Sequence, residues 1–314
     1  MAIVAGLLAA LAAMVPRTAL AHEKWFTPEG FHVPDWSLVF SERTALALGI
    51  GLGGVGLFGI AQRILGDPDW PRLPFLSRMA RGDMTLLAVQ TAIALIYMAV
   101  RLTVLVPNLQ LPADALGFAI AGLQLAIAFS FITGLFDRVG ALALLALGFI
   151  VLVLFSPLSM LAQAHYAGIA LAILLVGRGG ETSLPRPPFQ DPIWGARGII
   201  ALRVLAGFAF LTLGLADKVW NPDLGQAFLE RYPHFNVLRL AGLEVSDPFF
   251  ILAAGVIETA IGLLLLSGFL TRLVILLLLV PFNITVPFLP AEEMIGHLPI
   301  FGILYLLLVH GSGR

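Results

Sequence analysis

Nine apolar stretches, at about 38–62, 84–106, 115–135, 139–156, 160–177, 198–219, 248–267, 270–288 and 293–310, punctuate this chain of 314 residues. Each is close to the roughly 17–25 residues that carry an α-helix across hydrocarbon. A bilayer has no water to satisfy backbone polar groups, so such stretches are predicted to be helices. Apolar residues make up 59% of the chain and charged ones 12%, about half the share of soluble domains. That balance excludes a soluble enzyme, a disordered chain and a nucleic-acid binder, which would need clustered Lys and Arg. The absence of Cys excludes disulfides, thiol redox chemistry and Cys-ligated metal. The predicted class is an all-α, polytopic helical membrane protein.

The first 21 residues read as a signal peptide. Residues 2–15 are apolar but short, and Ala19-Leu20-Ala21 suits a signal peptidase. No Lys or Arg precedes the apolar run, so an uncleaved anchor is the alternative. Cleavage after Ala21 would leave 22–37 as a short outer segment. Arg63, Arg72, Arg78 and Arg81 then fall on the first inner loop, with Arg138, Arg178, Arg186, Arg197 and Arg272 at later inner turns. Outer connections 107–114 and 156–160 carry no Lys or Arg, whereas 220–247 has Arg231 and Arg239 beside Glu230 and Glu244. The positive-inside rule therefore puts the mature N-terminus outside and the C-terminus in the cytoplasm.

An internal repeat organises the rest. Shifted by 134 positions, residues 121–179 fall on 255–313 without a gap. Gly134 meets Gly268, Arg138 meets Arg272, Gly168 meets Gly302, and Gly177 and Gly179 meet Gly311 and Gly313. The expected units are 84–180 and 198–314, joined by the inner linker 181–197. Four spans in each unit would give both the same orientation about an axis along the membrane normal. The span within 38–83 lies outside the duplication. Its Gly49, Gly51, Gly53, Gly54, Gly56 and Gly59 are expected to form a helix-packing surface. The outer insertion 223–246, with Leu224, Phe228, Leu229, Phe235, Leu238 and Leu240, is expected to hold short amphipathic helices at the membrane surface.

The second unit carries Arg203-x-x-x-Gly207, Gly214-x-x-x-Lys218, Glu258-x-x-x-Gly262, Leu266-Ser267-Gly268-Phe269-x-x-Arg272 and a Gly-rich end at Gly311. In these motifs it resembles the DoxX/DoxD family of integral membrane proteins, and 84–180 does so faintly. The segment His22-Glu23-Lys24-Trp25-Phe26 is similar to the mature start of longer bacterial members. The resemblance implies a four-helix bundle in a bacterial inner membrane, tied to respiratory or sulfur-linked redox chemistry. Quinone is the cofactor so implied, and an oxidoreductase subunit the implied partner beside the lipid bilayer. No flavin, haem or iron–sulfur motif is visible, so electrons would come from that partner. The alternatives are a carrier or permease, an outward-facing copper-binding protein, and a non-enzymatic scaffold.

Ionisable groups inside a span mark function or a paired lock. The candidate reactive residues are Arg203, Glu258 and Lys218. Arg203 and Glu258 are expected to pair across two helices, either as a structural lock or as a proton or quinone site. Lys218 is expected to snorkel outward beside Trp220. Asn283, His297 and Trp220 are candidates for the lining of an outward cavity. In the first unit Glu258 corresponds to Gln124, Asn283 to Phe149, His297 to Gln163 and Lys218 to Arg101. Any chemistry is therefore expected in the second unit. His22, freed by cleavage, offers an amine and an imidazole for Cu(II), with His32 as a third donor; ordinary exposed histidines are the alternative.

Overall fold

The computed structural model describes residues 36–80, 82–178, 192–240, 242–285 and 291–313. These residues are helical, with one isolated bridge between Thr103 and Gln110. The main helices are α1 (Glu42–Leu65), α2 (Asp83–Val100), α3 (Ala115–Thr133), α4 (Asp137–Leu154), α5 (Ala164–Val176), α6 (Pro192–Leu213), α7 (Pro222–Arg231), α8 (Asp247–Ser267), α9 (Thr271–Thr285) and α10 (Ala291–His310). A π-helical turn, Gly214–Val219, extends α6. Six of the described helices are long and apolar enough to cross a membrane: α1, α2, α3, α4, α6 with its extension, and α8. The chain is thus a polytopic helical membrane protein. The stretches at 160–177, 270–288 and 293–310 fall on shorter apolar helices.

Local chemistry sets the boundaries. Ser41 caps α1 and Asp114 caps α3 through side-chain oxygens that accept backbone N–H groups. Gly134 and Gly268 close α3 and α8 in the left-handed region, which glycine enters without strain. The stretch at 160–177 is cut because Ser156 and Pro157 start a separate short helix, Pro157–Ala162. The stretch at 84–106 stops at Val100. Beyond it the chain makes a tight apolar loop, with Leu102 and Leu105 at positive φ and Val104, Leu105, Val106 and Leu109 buried.

Packing follows two rings. Helix α2 packs on α3, α3 on α4, α4 on α5, and α5 back on α2. Likewise α6 packs on α8, α8 on α9, α9 on α10, and α10 on α6. The rings join through α5 on α6 and α10 on α2. Small residues allow both joins: Gly168 lies against Leu202 and Leu205, and Gly302 against Leu87 and Gln90. Between α6 and α8 the backbones nearly touch, since a Cβ on Gly207 would come within 2.9 Å of the Gly262 carbonyl.

Helix α1 packs on α8, where Gly51 lies against Val256, and Gly59 lies against Phe269 just past the end of α8. Gly49, Gly53, Gly54 and Gly56 face open space, so the predicted glycine surface is used only in part. Leu46, Ile50, Phe118, Phe129, Phe149 and Ile257 are exposed, a surface that suits lipid. The signal peptide, His22 and His32 lie outside the described residues.

Candidate functional site

Asp217, Lys218 and Asn221 sit where α6 widens into its π-turn, with Glu258 of α8 beside them. Such a turn sets a side chain off the regular helical register and recurs at functional sites. Gly214 leaves this turn close against α8, where a Cβ would meet the Gly255 carbonyl at 2.7 Å. The approach brings Lys218 over α8, and its Nζ stands 3.0 Å from Glu258 Oε2. The Lys218 side chain is 13% exposed and that of Glu258 28%, so the pair is half-open rather than sealed. Asp217 beside it is buried. Asn221 donates from Nδ2 to the Ala216 carbonyl at 2.5 Å, while its buried Oδ1 has no hydrogen-bond partner. Trp220 is half-buried at the end of the turn, its N–H donating to the Leu215 carbonyl at 2.8 Å.

The expected Arg203–Glu258 pair is not what forms. Arg203 Nη1 donates to the carbonyls of Leu265 and Leu266, and Nε to the Ser312 carbonyl at 3.1 Å. Leu265 lies seven residues beyond Glu258, about 10 Å along the helix. The reason is local. The last carbonyls of α8 have no intrahelical donor and carry the negative end of the helix dipole, so they hold a guanidinium better than a carboxylate two turns away. Glu258 then meets the next cation within reach. Lys218, expected to snorkel outward, turns inward to it.

An uncharged tie joins α3 to the loop after α2. Gln124, 134 positions before Glu258, donates from Nε2 to the Thr103 carbonyl at 2.8 Å and accepts the Leu105 N–H at 3.0 Å. Tyr166 adds a bond to the Leu105 carbonyl at 2.9 Å. The segment tied to α3 is therefore Thr103–Leu105, not Arg101. Arg101 is exposed, 6.0 Å from the Tyr97 ring centroid.

Asn283 and His297 do not converge on Lys218 through any described contact. Asn283 is exposed and donates to the Leu279 carbonyl of its own helix at 2.6 Å. His297 is buried, with the rings of Phe282 at 5.9 Å and Phe301 at 6.5 Å. The segment expected to carry amphipathic helices forms α7, a 3-10 turn at Pro233–Phe235 and a short helix at Val237–Leu240. Leu224 and Leu229 are buried, and Gly225 lies against Ile251, so that face of α7 packs on the bundle. Helix α7 contacts both the π-turn and α8, beside the Lys218–Glu258 pair.

Two contacts near the end of α10 lie outside the sequence expectations. His310 Nε2 meets Asp83 Oδ2, joining α10 to α2. Asp69 accepts the Ser312 N–H at 2.6 Å, and Arg272 reaches the Asp69, Leu308 and Val309 carbonyls. Nothing in the spacing of a lone Asp on a loop signals this role. No protein-family model matches the chain, and neither any curated protein nor any solved structure matches it significantly.

Proposed function

We propose that this is a DoxX-like integral membrane subunit that binds a quinone headgroup beside Lys218 and Glu258 and supports the redox chemistry of a partner oxidoreductase. The observation that carries this reading is the half-open Lys218–Glu258 pair on a π-turn, at the place where the first unit uses the neutral Gln124–Thr103 tie. An ammonium can donate to a quinone carbonyl, and a neighbouring carboxylate can exchange a proton as the quinone is reduced. The first unit would then serve as support. Its groups at the matching place are amides, which do not titrate.

The same reading includes a duplication. Positions 134 apart make matching contacts: Arg138 Nε donates to Leu174 O and Arg272 Nε to Leu308 O, each at 3.0 Å. Phe136 and Leu270 share positive φ, as do Gly177 and Gly311. These matches and the reciprocal joins of α5 on α6 and α10 on α2 support two like-oriented units. The C-terminus is then cytoplasmic and the Lys218 end faces outward.

Purified protein in lipid nanodiscs should show saturable quenching of tryptophan fluorescence by a short-tailed quinone, with one site per chain and sensitivity to Trp220→Phe. Quenching that rises linearly with quinone in the membrane, unaffected by that substitution, would reject quinone binding here.

A further inference from the structure

The loop between α1 and α2 sorts its charges. Both helices are long and apolar enough to cross a membrane, so residues 66–82 begin and finish at one membrane surface. Segment 63–83 holds four arginines and three aspartates, close to balance. The fold turns the aspartates in. Asp67 is 17% exposed and accepts from Arg72 Nε and the Asp69 N–H. Asp69 turns to the end of α10 and accepts the Ser312 N–H at 2.6 Å. Asp83 is buried against His310. Arg63, Arg72 and Arg78 are exposed, Arg72 to 81%; Arg81 lies outside the described residues. Trp70, Phe75 and Met79 are exposed among them. Phe75, Arg78 and Met79, at i, i+3 and i+4, share one face of the turn Leu76–Met79. Contacts with the bundle hold the loop in place: Leu76 is buried, the Thr271 N–H donates to the Pro68 carbonyl at 3.2 Å, and the Tyr305 hydroxyl to the Met79 carbonyl at 2.8 Å. At the same end of the bundle Arg197 is exposed, 4.5 Å from the Trp194 ring centroid. The opposite end exposes both signs: Asp114, Asp223, Glu230 and Glu244 with Arg101, Arg231 and Arg239.

We propose that this end of the bundle binds anionic phospholipid, with Arg72 and Arg78 donating to headgroup phosphate and Trp70, Phe75 and Met79 seated at the headgroup–acyl boundary. The guanidinium fork matches phosphate, and indole rings favour the membrane interface. Asp67 takes Nε of Arg72 and fixes the side chain, which leaves the Nη groups for the lipid. Arg72 borders an open cleft of about 520 Å³ walled by Leu73, Pro74 and Val309. Asp67 and Asp69 line it too, with their carboxylates engaged as described, and Arg272 beside them is spent on backbone carbonyls. A lipid fits better than a soluble anion, because the arginines alternate with exposed apolar side chains that suit acyl chains. The inference is independent of the quinone reading and of which face of the membrane this end occupies.

The test compares full-length protein in nanodiscs of phosphatidylcholine alone and with added phosphatidylglycerol. Phosphatidylglycerol should raise the melting temperature, and 1 M salt, where the screening length is about 3 Å, should abolish the rise. Arg72→Gln with Arg78→Gln should weaken the preference for phosphatidylglycerol by about 10-fold or more. Arg231→Gln with Arg239→Gln, at the opposite end, should leave it unchanged. Asp67→Asn breaks the same ion pair as Arg72→Gln but keeps the arginine, so it should retain the preference; its loss there would show that loop structure and not phosphate contact is read. Should the double variant fail to fold, the parent decides: brominated phosphatidylglycerol should quench its tryptophan fluorescence more than brominated phosphatidylcholine, and Trp70→Phe should remove the difference. Equal stability in both lipids, a preference that survives Arg72→Gln with Arg78→Gln, equal quenching by the two brominated lipids, or the same stabilisation from inorganic phosphate added to phosphatidylcholine discs would overturn the proposal.

Discussion

Arg178, just past the end of α5, and Arg203, within α6, make the same kind of bonds. Arg178 Nη1 donates to the carbonyls of Phe131 and Ile132, and Arg203 Nη1 to those of Leu265 and Leu266, their counterparts 134 positions on. Each guanidinium thus fills the end of the second helix of a ring, where Gly134 or Gly268 leaves carbonyls open. Arg178 follows the last helix of one ring, whereas Arg203 lies on the first helix of the other. The site recurs although the residue that fills it does not.

Removing either arginine should therefore destabilise the protein. Arg203→Ala loses charge-assisted bonds to three carbonyls, which predicts a loss of about 2–4 kcal/mol. Arg203→Lys should recover less than half, because a point charge cannot reproduce the planar fork. Unfolding in mixed micelles checks both. A full rescue by lysine would mean that charge alone matters.

Lys218 and Glu258 should be energetically coupled, and Arg203 and Glu258 should not. A cycle with Lys218→Met and Glu258→Leu should give a coupling of about 1–3 kcal/mol, the range for groups in direct contact. Arg203→Leu with Glu258→Leu should be additive to within about 0.5 kcal/mol. Equal couplings in both cycles would return Arg203 to the Glu258 site.

Acid should loosen the loop after α1. The Arg72 guanidinium, 2.6 Å from Asp67, and the Asp69 N–H hold the Asp67 carboxyl below its ordinary value of 3.8. A carboxyl lowered on folding adds stability above 3.8 and withdraws it as pH falls through the lower folded value. The pair is exposed and screened by salt, so the effect is small. Asp67→Asn should flatten the stability profile below about pH 4. An unchanged slope would show that the pair forms equally in the unfolded chain.

Orientation is open to a direct check. Reporter fusions should place 107–114 and 220–247 outside, and 63–83 and 181–197 in the cytoplasm. Opposite placement of the two inner segments would contradict like-oriented units.

Much of the architecture is legible in the sequence because a bilayer leaves few choices: each of the nine predicted stretches contains an apolar helix, though 84–106 leaves it at Val100. The loop at 101–111 escaped notice because its buried valines and leucines look like helix, and only Gln124 and Tyr166, distant in sequence, satisfy its backbone. The polar residues were legible as a set, their partners not. Depth along a helix ranks Arg203 and Lys218 alike as mates for Glu258. What decides is a helix end that takes the arginine and a π-turn that swings the lysine inward, neither of which hydropathy records.

The measurement that bears most directly on the central claim removes both charges from the pair. Lys218→Met with Glu258→Gln should fold, because Gln124, 134 positions earlier, ties its helix to backbone groups alone, with a melting temperature close to that of the parent. Titration of this variant with a short-tailed quinone in nanodiscs should show no saturable quenching of Trp220. Saturable binding at the parent's affinity would contradict the account and leave Lys218 and Glu258 as a lock between helices.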